Sequence, residues 1–377
     1  MSQMLFTLPP LSPDYSGISS VLHDLGALTV LHDASGCTGT YTGYDEPRWF
    51  GSKSPIFCSG LREMDVILGD DEKLLKKMEA AQQEARSPFA AIVGSPVPTL
   101  IGFDFKGFAA SAEKHLGIPV LGFPAAGINY YDQGQRDTYL VLAEQFLNPA
   151  PKKDPAKVNL LGASALDGFD DDALEELFRV VREAGLAPGA VWGSRSDLEE
   201  IAQSGGAGAN WVLTAAALPL ARYLEQRFGT PYTLGLPVGK KNTAQILTFL
   251  KNPVSPLPER PVTEQRTGVE AETLIIGEAL FCAALRDFLE EEQGAGTVRI
   301  GTFFSCGKEL LREGDHLFAS EADAERALGE KSLKTVYADP LFEDLLPPTK
   351  PRFIAIPHRA VSGRIYDDSL KPYLRRV

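Results

Sequence analysis

The sequence has 377 residues, of which 44% are hydrophobic, 23% charged and 9% aromatic, which is typical of globular proteins and excludes a disordered, collagenous or coiled-coil chain. The 50 acidic and 37 basic residues give a net charge of -13, which disfavours binding to nucleic acid or to an anionic membrane surface. At roughly 150 residues per domain, this length predicts about two to three domains.

The first residues resemble no targeting segment. Positions 1–11 lack a cationic stretch ahead of an apolar core, and two prolines interrupt them. The longest apolar run, 89–103, also contains prolines and is shorter than the ~20 residues that a membrane span needs. We therefore expect a soluble, cytoplasmic protein with no membrane partner.

Short apolar runs that mostly end at Gly or Pro alternate with helical patterns along the chain. Continuous apolar runs are typical of strands covered on both faces, as in parallel sheets with crossover helices. The predicted strands span 26–31, 90–94, 119–123, 158–162, 274–277, 298–304 and 353–356. The fold class is therefore α/β.

Two further local patterns carry predictions about the middle of the chain. Apolar residues at 174, 177, 178 and 181 predict a covering helix over 171–184, since they recur at helical spacing and a glycine follows at 185. The glycine-rich stretch 205–208 is interpreted as a flexible loop, which is weak evidence for phosphate binding.

Proline-rich stretches at 148–155 and 252–261 divide the chain, because proline can continue neither a helix nor a central strand. We place domain boundaries near 154 and 265. The predicted domains are 1–154, 155–265 and 266–377, and each has its own alternation of strands and helices.

Two of the four cysteines lie where a ligand site is expected, since open α/β sheets bind ligands in the loops that follow strands. Cys37 lies in the small-residue loop after the first predicted strand, where Gly36 lets a cofactor approach the backbone closely. Cys58 follows a short apolar piece, and its distance from Cys37 in sequence is unlike a compact C-x-x-C motif. Such thiols fit metal ligands, nucleophiles or inert core residues, and the alternative for Cys37 is a buried thiol in a tight turn.

Two thiols per chain cannot complete a site with four thiolates, whereas two copies of the chain around a twofold axis can. An iron-sulfur cluster at the interface between two subunits would receive four thiolates in this way. Cys282 lies within a predicted apolar helix and is interpreted as a core residue. Cys306 follows the strand predicted at 298–304 and remains a minor candidate without a partner in sequence.

Other common site patterns are missing from the sequence. The five histidines show no paired spacing of metal ligands, and there is neither a Walker A loop nor a Gly-x-Gly-x-x-Gly motif after the first strand of a predicted domain. We therefore expect neither nucleotide hydrolysis nor NAD binding by this chain.

Four collinear segments carry a resemblance to a known family. Residues 32–37, His-Asp-Ala-Ser-Gly-Cys, resemble the His-Gly-Pro-x-Gly-Cys loop of the nitrogenase component 1 superfamily, which includes light-independent protochlorophyllide reductases and cofactor-assembly scaffolds. Residues 62–74 resemble that family's Glu-x-Asp-x-x-Phe-Gly-Gly-x-x-Lys-Leu stretch. Residues 94–104 resemble the family segment that ends in Ile-Gly-Asp-Asp. Residues 228–250 are similar to its Tyr-Gly-x-Pro, Pro-x-Gly, Thr and Phe-Leu pattern. The resemblance implies three Rossmann-like domains, each a mainly parallel sheet flanked by helices, around a central cleft.

The resemblance also implies roles for individual residues. The cysteine of the family's loop ligates an interface iron-sulfur cluster, which implies this role for Cys37 with Gly36 beside it. Cys58 lies where the family has Thr, Ser or Cys and is interpreted as a second ligand. Glu63 and Asp65 are expected near the same interface, although acidic residues at such positions often cap a helix.

Departures from the family pattern narrow the expected cofactor. No thiol stands near 11–13 or at 95–96, so one [4Fe-4S] cluster shared between subunits is expected in place of an eight-iron cluster. Leu213 stands where nitrogenase has the cysteine that anchors its molybdenum cofactor, so dinitrogen reduction is not implied.

The resemblance implies a reductase component that works as a homodimer or with a paralogous partner subunit. An iron-protein-like ATPase would deliver single electrons, and the substrate, with a tetrapyrrole as one candidate, would lie in the cleft. The alternative is a non-catalytic scaffold or binding protein for a metal cluster or cofactor. A third interpretation, a metal-free ligand binder like the periplasmic binding proteins, is disfavoured because we identify no signal peptide.

Overall fold

The computed structural model describes residues 6–49, 54–69, 71–254, 270–349 and 351–364. The strands in these ranges are β1 (Leu28–Leu31), β2 (Ile56–Cys58), β3 (Ala90–Val93), β4 (Val120–Phe123), β5 (Asp154–Leu161), β6 (Ala187–Trp192), β7 (Ala207–Val212), β8 (Tyr232–Leu234), β9 (Thr273–Ile276), β10 (Val298–Thr302), β11 (His316–Leu317), β12 (Thr335–Ala338) and β13 (Arg352–Ala355).

The helices in the same ranges are α1 (Asp14–Leu22), α2 (Gly36–Thr40), α3 (Glu63–Leu68), α4 (Asp71–Ala85), α5 (Pro96–Leu100), α6 (Phe105–Leu116), α7 (Tyr131–Phe146), α8 (Asp171–Glu183), α9 (Leu198–Gln203), α10 (Leu218–Phe228), α11 (Gly239–Lys251), α12 (Ala279–Glu291) and α13 (Glu321–Leu328). None of them is long and apolar enough to cross a membrane.

The strands form three parallel sheets with the orders β2-β1-β3-β4, β6-β5-β7-β8 and β11-β10-β9-β12-β13. Inner strands such as β3 and β9 are buried along their whole length, as their continuous apolar runs predict. The predicted α/β class with three parallel sheets flanked by helices is thus confirmed. The predicted domain boundary near 154 coincides with the start of β5, and the one near 265 lies outside the described residues, so the division into three domains stays a prediction.

The order of strands reverses once in each sheet, between β1 and β3, between β5 and β7, and between β9 and β12. Loops on the two sides of such a point diverge and leave a crevice beyond the carboxyl ends of the strands. Residues directly after these strands are therefore the first place to search for a site.

Helix α8 shows how local sequence sets an element. The Asp170 side chain accepts a hydrogen bond from the Ala173 amide at 2.9 Å and caps the first turn. The helix buries the apolar face that the spacing predicts, and Gly185 follows it with a φ of 81°. The helix predicted over 171–184 is confirmed.

The stretch 205–208 is not the flexible loop expected from its glycines. Gly205 and Gly206 are buried, and β7 begins at the next residue as an inner strand. A Cβ atom on Gly206 would lie 2.1 Å from the Lys152 carbonyl oxygen, and one on Gly208 would lie 2.2 Å from that of Pro155. These glycines therefore let two backbone segments approach each other closely.

Helices α1 and α7 bring the sheets together. Their backbones are in contact, since a Cβ atom on Gly17 of α1 would lie 2.0 Å from the carbonyl oxygen of Tyr131 in α7. One cluster of buried side chains extends from Val93 of β3 through Tyr139 of α7 to Trp192 of β6. The start of α7 is thereby fixed between the first and second sheets.

Candidate metal centre and central cleft

The loop after β1 is organised by the buried side chain of Asp33. Its Oδ2 atom accepts hydrogen bonds from the amides of Ser35 at 3.0 Å and Thr38 at 3.1 Å. Ser35 has a φ of 136°, a conformation that non-glycine residues rarely adopt. The chain therefore turns sharply after Asp33, and α2 begins with Gly36 and Cys37.

Cys58 ends β2, directly beside the end of β1. Its thiol donates to the Asp33 carbonyl oxygen at 3.4 Å, and its Sγ atom accepts from the Gly60 amide at 3.3 Å. The hydroxyl oxygen of Ser59 accepts from the Asp33 amide and lies 3.0 Å from Nδ1 of His32. These contacts hold the carboxyl ends of the first two strands together.

Cys37 is half-buried and lies beside the carboxylate of Asp33 and the hydroxyl of Tyr15. Burial, with the negative charge of Asp33, raises the pKa of its thiol. The thiol is therefore protonated at neutral pH, and a bound metal would have to displace that proton. Both cysteines contact Asp33, so the fold brings together the two residues that the sequence analysis selected.

The outer face of this loop is open. A Cβ atom on Gly36 or Gly39 would meet no atom within 4 Å. In the described ranges, no group of three or more His, Cys, Asp and Glu side chains could hold a metal ion. Two soft thiols that border open space thus fit half of a four-thiolate set, and the assignment of Gly36, Cys37 and Cys58 to a cluster stays a prediction.

Large apolar side chains are exposed near this loop. Ile67 and Leu68 of α3 are 66% and 68% exposed, and Leu100 of α5 is 85% exposed. Met64 and Ile101 are also exposed, and Ile101 lines the same cavity as Val66 of α3. We call Met64, Ile67, Leu68, Leu100 and Ile101 the apolar edge. A concentration of exposed apolar side chains of this kind is typical of protein interfaces.

The two acidic residues expected beside the cysteines lie at the start of α3. Asp65 accepts a hydrogen bond from the Arg62 amide at 3.0 Å and forms an ion pair with Lys73. Glu63 is exposed in the first turn. Asp65 therefore has the capping role, and both residues border the apolar edge.

A second concentration of chemically active groups lies where the carboxyl ends of the three sheets meet. Asp132 at the start of α7, Asp167 after β5 and Glu278 after β9 are all buried. Asp132 accepts from the Ser305 amide at 2.8 Å, and Glu278 accepts from the Ala215 amide at 2.8 Å. One carboxyl group from each predicted domain thus faces this junction, which we call the central cleft.

Asp167 takes part in a chain of hydrogen bonds across the cleft. The Tyr131 hydroxyl lies 2.7 Å from Asp167 Oδ1 and 3.1 Å from Nε2 of His358. The Gln135 amide donates to Asp167 Oδ2 at 3.1 Å and to the Ser164 hydroxyl at 2.8 Å. The chain links the second sheet, through α7, to the loop after β13.

Burial controls the protonation of the cleft. It raises the pKa of Asp167 to about 8, that of Glu278 to about 7 and that of Asp132 to about 6, because desolvation disfavours the charged carboxylate. Repulsion among these carboxylates adds to the shift for Asp167 and Glu278. Burial also lowers the pKa of His358 to about 4, so that its imidazole is neutral at pH 7.

An aromatic pocket borders the chain of hydrogen bonds at the carboxyl edge of the third sheet. It is partly open to solvent. Its lining includes Tyr130, Phe303, Phe304, Phe342 and His358. Such a lining favours an apolar ligand, with His358 as a polar group in the wall.

The sequence analysis missed the residues of the cleft, although two of them have a signal in their position. Glu278 directly follows the strand predicted at 274–277, and His358 follows the one predicted at 353–356.

Cys306 is half-buried and faces the charges of Asp132 and Glu278. Cys282 is fully buried, which confirms its interpretation as a core residue.

Comparison with known proteins identifies the family. The model of the nitrogenase component 1 type oxidoreductases matches residues 20–309, which is most of the chain. The chain belongs to this family. A structure of nitrogenase Cp1 at pH 6.5 aligns with 100% of this chain and 92% of that chain, with a TM-score of 0.72 and 14% identity, which shows a shared fold.

The relatives within the family include proteins named as reductase subunits and a protein named for cofactor biosynthesis. A light-independent protochlorophyllide reductase subunit from Synechococcus sp. (strain JA-3-3Ab) is 22% identical over 72% of this chain and 62% of that protein. The corresponding protein of Bradyrhizobium sp. (strain BTAi1 / ATCC BAA-1182) is 27% identical over 65% and 51%. The nitrogenase iron-molybdenum cofactor biosynthesis protein NifE of Sinorhizobium fredii is 25% identical over 51% and 39%. The chain thus spans about half to three fifths of the length of these reductase relatives, and less of NifE.

Proposed function

We propose that this chain is a nitrogenase-like reductase component that receives electrons through an iron-sulfur cluster at a subunit interface. The observation that carries the proposal is the meeting of Cys37 and Cys58 at Asp33, next to the apolar edge. A second copy of the chain, or a paralogous subunit, would cover this edge and bring the remaining ligands.

The donor set supports a [4Fe-4S] cluster shared between two subunits. Thiolates are the ligands that iron-sulfur clusters prefer, and two from each of two chains complete a set of four. When bound, such a cluster accepts and passes on single electrons. Apolar side chains such as Ile67 and Leu100 would exclude water from it. All four cysteines are free thiols, which suits a reducing compartment such as the cytoplasm.

The proposed electron donor and the proposed substrate are inferred from the family. An iron-protein-like ATPase is the donor that the resemblance implies. Several relatives are named as subunits of a light-independent protochlorophyllide reductase, which favours a tetrapyrrole as the substrate. The central cleft and its aromatic pocket are the place that we assign to this substrate.

A scaffold that holds a metal cluster or cofactor during assembly is the second candidate. The similarity to a protein named for iron-molybdenum cofactor biosynthesis favours it. Such a protein would keep the cysteine loops without reducing a substrate. The reductase therefore turns over a substrate and the scaffold does not, whereas both would hold the same metal site.

The ligand assignment is tested by Cys37→Ser and Cys58→Ser, with Cys306→Ser as the control for loss of a thiol elsewhere. Iron, acid-labile sulfide and oligomeric state are measured on protein purified without oxygen. We expect about two iron atoms per chain in the parent and in the control, as one four-iron cluster per pair requires. Both ligand variants should lose most of this iron. Unchanged iron in both would refute the assignment.

Turnover separates the reductase from the scaffold. The parent protein is mixed with an iron-protein-like ATPase from the same source, ATP and protochlorophyllide, and the absorption spectrum of the pigment is followed. A decrease in protochlorophyllide that requires ATP and Cys37 supports the reductase. Full iron content without reduction of this probe would favour the scaffold.

A further inference from the structure

Reduction in a buried cleft requires protons as well as electrons. An electron that reaches a desolvated substrate leaves a negative charge whose burial is costly unless a proton arrives with it. Carboxyl groups that remain protonated near neutral pH can supply such protons. The central cleft contains groups of this kind, and one of them, Asp167, belongs to a chain of hydrogen bonds that reaches the aromatic pocket.

The connection is a continuous chain of hydrogen bonds. The Tyr131 hydroxyl bridges Asp167 Oδ1, at 2.7 Å, and Nε2 of His358, at 3.1 Å. A hydroxyl can accept from one neighbour while it donates to the other. A proton on Asp167 can therefore be relayed to His358, whose ring lines the aromatic pocket.

Two buried oxygens next to the chain have no hydrogen-bond partner in the described structure. They are Oδ1 of Asp132 and Oε1 of Gln135, and both side chains are more than nine-tenths buried. Buried oxygens without a donor are rare, because each costs the desolvation free energy of the group. Protonation of Asp132 would remove the cost of burying its charge, and a ligand that donates a hydrogen bond would satisfy either oxygen.

The protonation of the cleft agrees with this geometry. At pH 7 the raised pKa of Asp167, about 8, keeps it mostly protonated, and Glu278, with a pKa of about 7, is partly protonated. His358 is neutral there, so Nε2 can accept a hydrogen bond from the Tyr131 hydroxyl. Five other titratable or charged groups interact electrostatically with these carboxyl groups: Tyr130, Arg136, Tyr139, Cys282 and Cys306.

We propose that Asp132, Asp167 and Glu278 form a proton store in the central cleft, and that Tyr131 and His358 pass protons from Asp167 to a substrate in the aromatic pocket. This inference rests on the proposed reductase function and deepens it. For each double bond reduced, a bound cluster would supply two electrons and the store would supply two protons. Two C–H bonds form, and the carboxylates left behind take up two protons from water.

The first experiment needs neither cluster nor substrate. Infrared spectra of the metal-free chain in H₂O and D₂O report the C=O stretch of protonated carboxyl groups. We expect a signal that persists to neutral pH in the parent and weakens in Asp167→Asn and in Glu278→Gln. Glu183→Gln removes an exposed carboxylate and serves as the control, so its signal should not change. A parent without this signal at pH 7, or variants that keep all of it, would overturn the proton store.

The second experiment tests the relay during turnover of protochlorophyllide. Tyr131→Phe keeps the ring and removes only the bridging hydroxyl, so we expect the rate to fall by a factor of about 10². The iron content and the rate of cluster reduction should stay at the parent values. An unchanged rate would overturn the relay.

If the parent protein itself does not reduce this probe, the proposed function fails for that substrate. The infrared result still decides whether the protons are stored. The two failures are therefore distinguishable.

Discussion

A single carboxyl group in the cleft links protonation to stability. Asp167 is buried among other acidic groups, which raises its pKa from 3.8 to about 8. Between these values the native state holds a proton that the unfolded state has released. The contribution of Asp167 to the free energy of unfolding is therefore full below pH 3.8 and is lost as the pH rises towards 8.

Asp167→Asn removes this dependence. Relative to the parent, the free energy of unfolding of the variant should rise by at most about 1.4 kcal/mol per pH unit between pH 5 and pH 7. Urea titrations at the two pH values measure it. Glu183→Gln, which changes an exposed carboxylate, should follow the parent at both. A constant difference between Asp167→Asn and the parent would contradict the raised pKa.

A buried ion pair fixes the elements of the third sheet. Arg286 of α12 is 3% exposed and Asp315, just before β11, is 1% exposed, with their nearest atoms 2.7 Å apart. Asp315 also accepts from the amides of Ile300 in β10 and of Arg312. The pair therefore joins a helix, an inner strand and the loop that leads to the edge strand.

Arg286→Leu would leave the Asp315 carboxylate buried without its cation. We expect a loss of about 3–5 kcal/mol in the free energy of unfolding, measured by chemical denaturation. The exposed pair of Arg179 and Glu176 on α8 provides the matched control. Arg179→Leu should cost less than about 1 kcal/mol. Equal losses in the two variants would refute the structural role of the buried pair.

At the scale of the whole molecule, the three sheets place the two candidate sites apart. The cysteine loop opens outwards at the first sheet, whereas the cleft lies inside the molecule where all three sheets meet. Helices α1 and α7 lie between them, and α7 begins with Tyr131 and Asp132. Electrons and protons would thus arrive from different sides of the cleft.

Ile67→Glu places a charge in the apolar edge and tests whether this surface is the subunit interface. We expect the pair of subunits to dissociate, since burying an unpaired carboxylate is costly, and the iron to be lost with it. Analytical ultracentrifugation and iron analysis measure the two effects. Leu317→Glu changes a comparably exposed residue on edge strand β11 and should leave both unchanged. A stable pair in Ile67→Glu would exclude this surface as the interface.

Some elements could not be found from sequence because they are short and half-exposed. Strand β8 has three residues and β11 has two, and neither is fully buried. They form because a neighbouring strand offers hydrogen bonds, which no local pattern reveals. The glycines before β7 were misinterpreted for a similar reason, since the backbone of Lys152 that requires them is distant in sequence.

The sequence by itself determined the class of fold and selected Cys37 and Cys58, whose role as cluster ligands stays a prediction. Strands buried on both faces need continuous apolar runs, and a cysteine after such a run, as at Cys37, lies at the edge of a sheet wherever that sheet packs. Only the tertiary structure decided the order of the strands and the meeting of Asp132, Asp167 and Glu278. These residues belong to distant segments, and the pKa of a carboxyl group depends on the neighbours that folding brings to it.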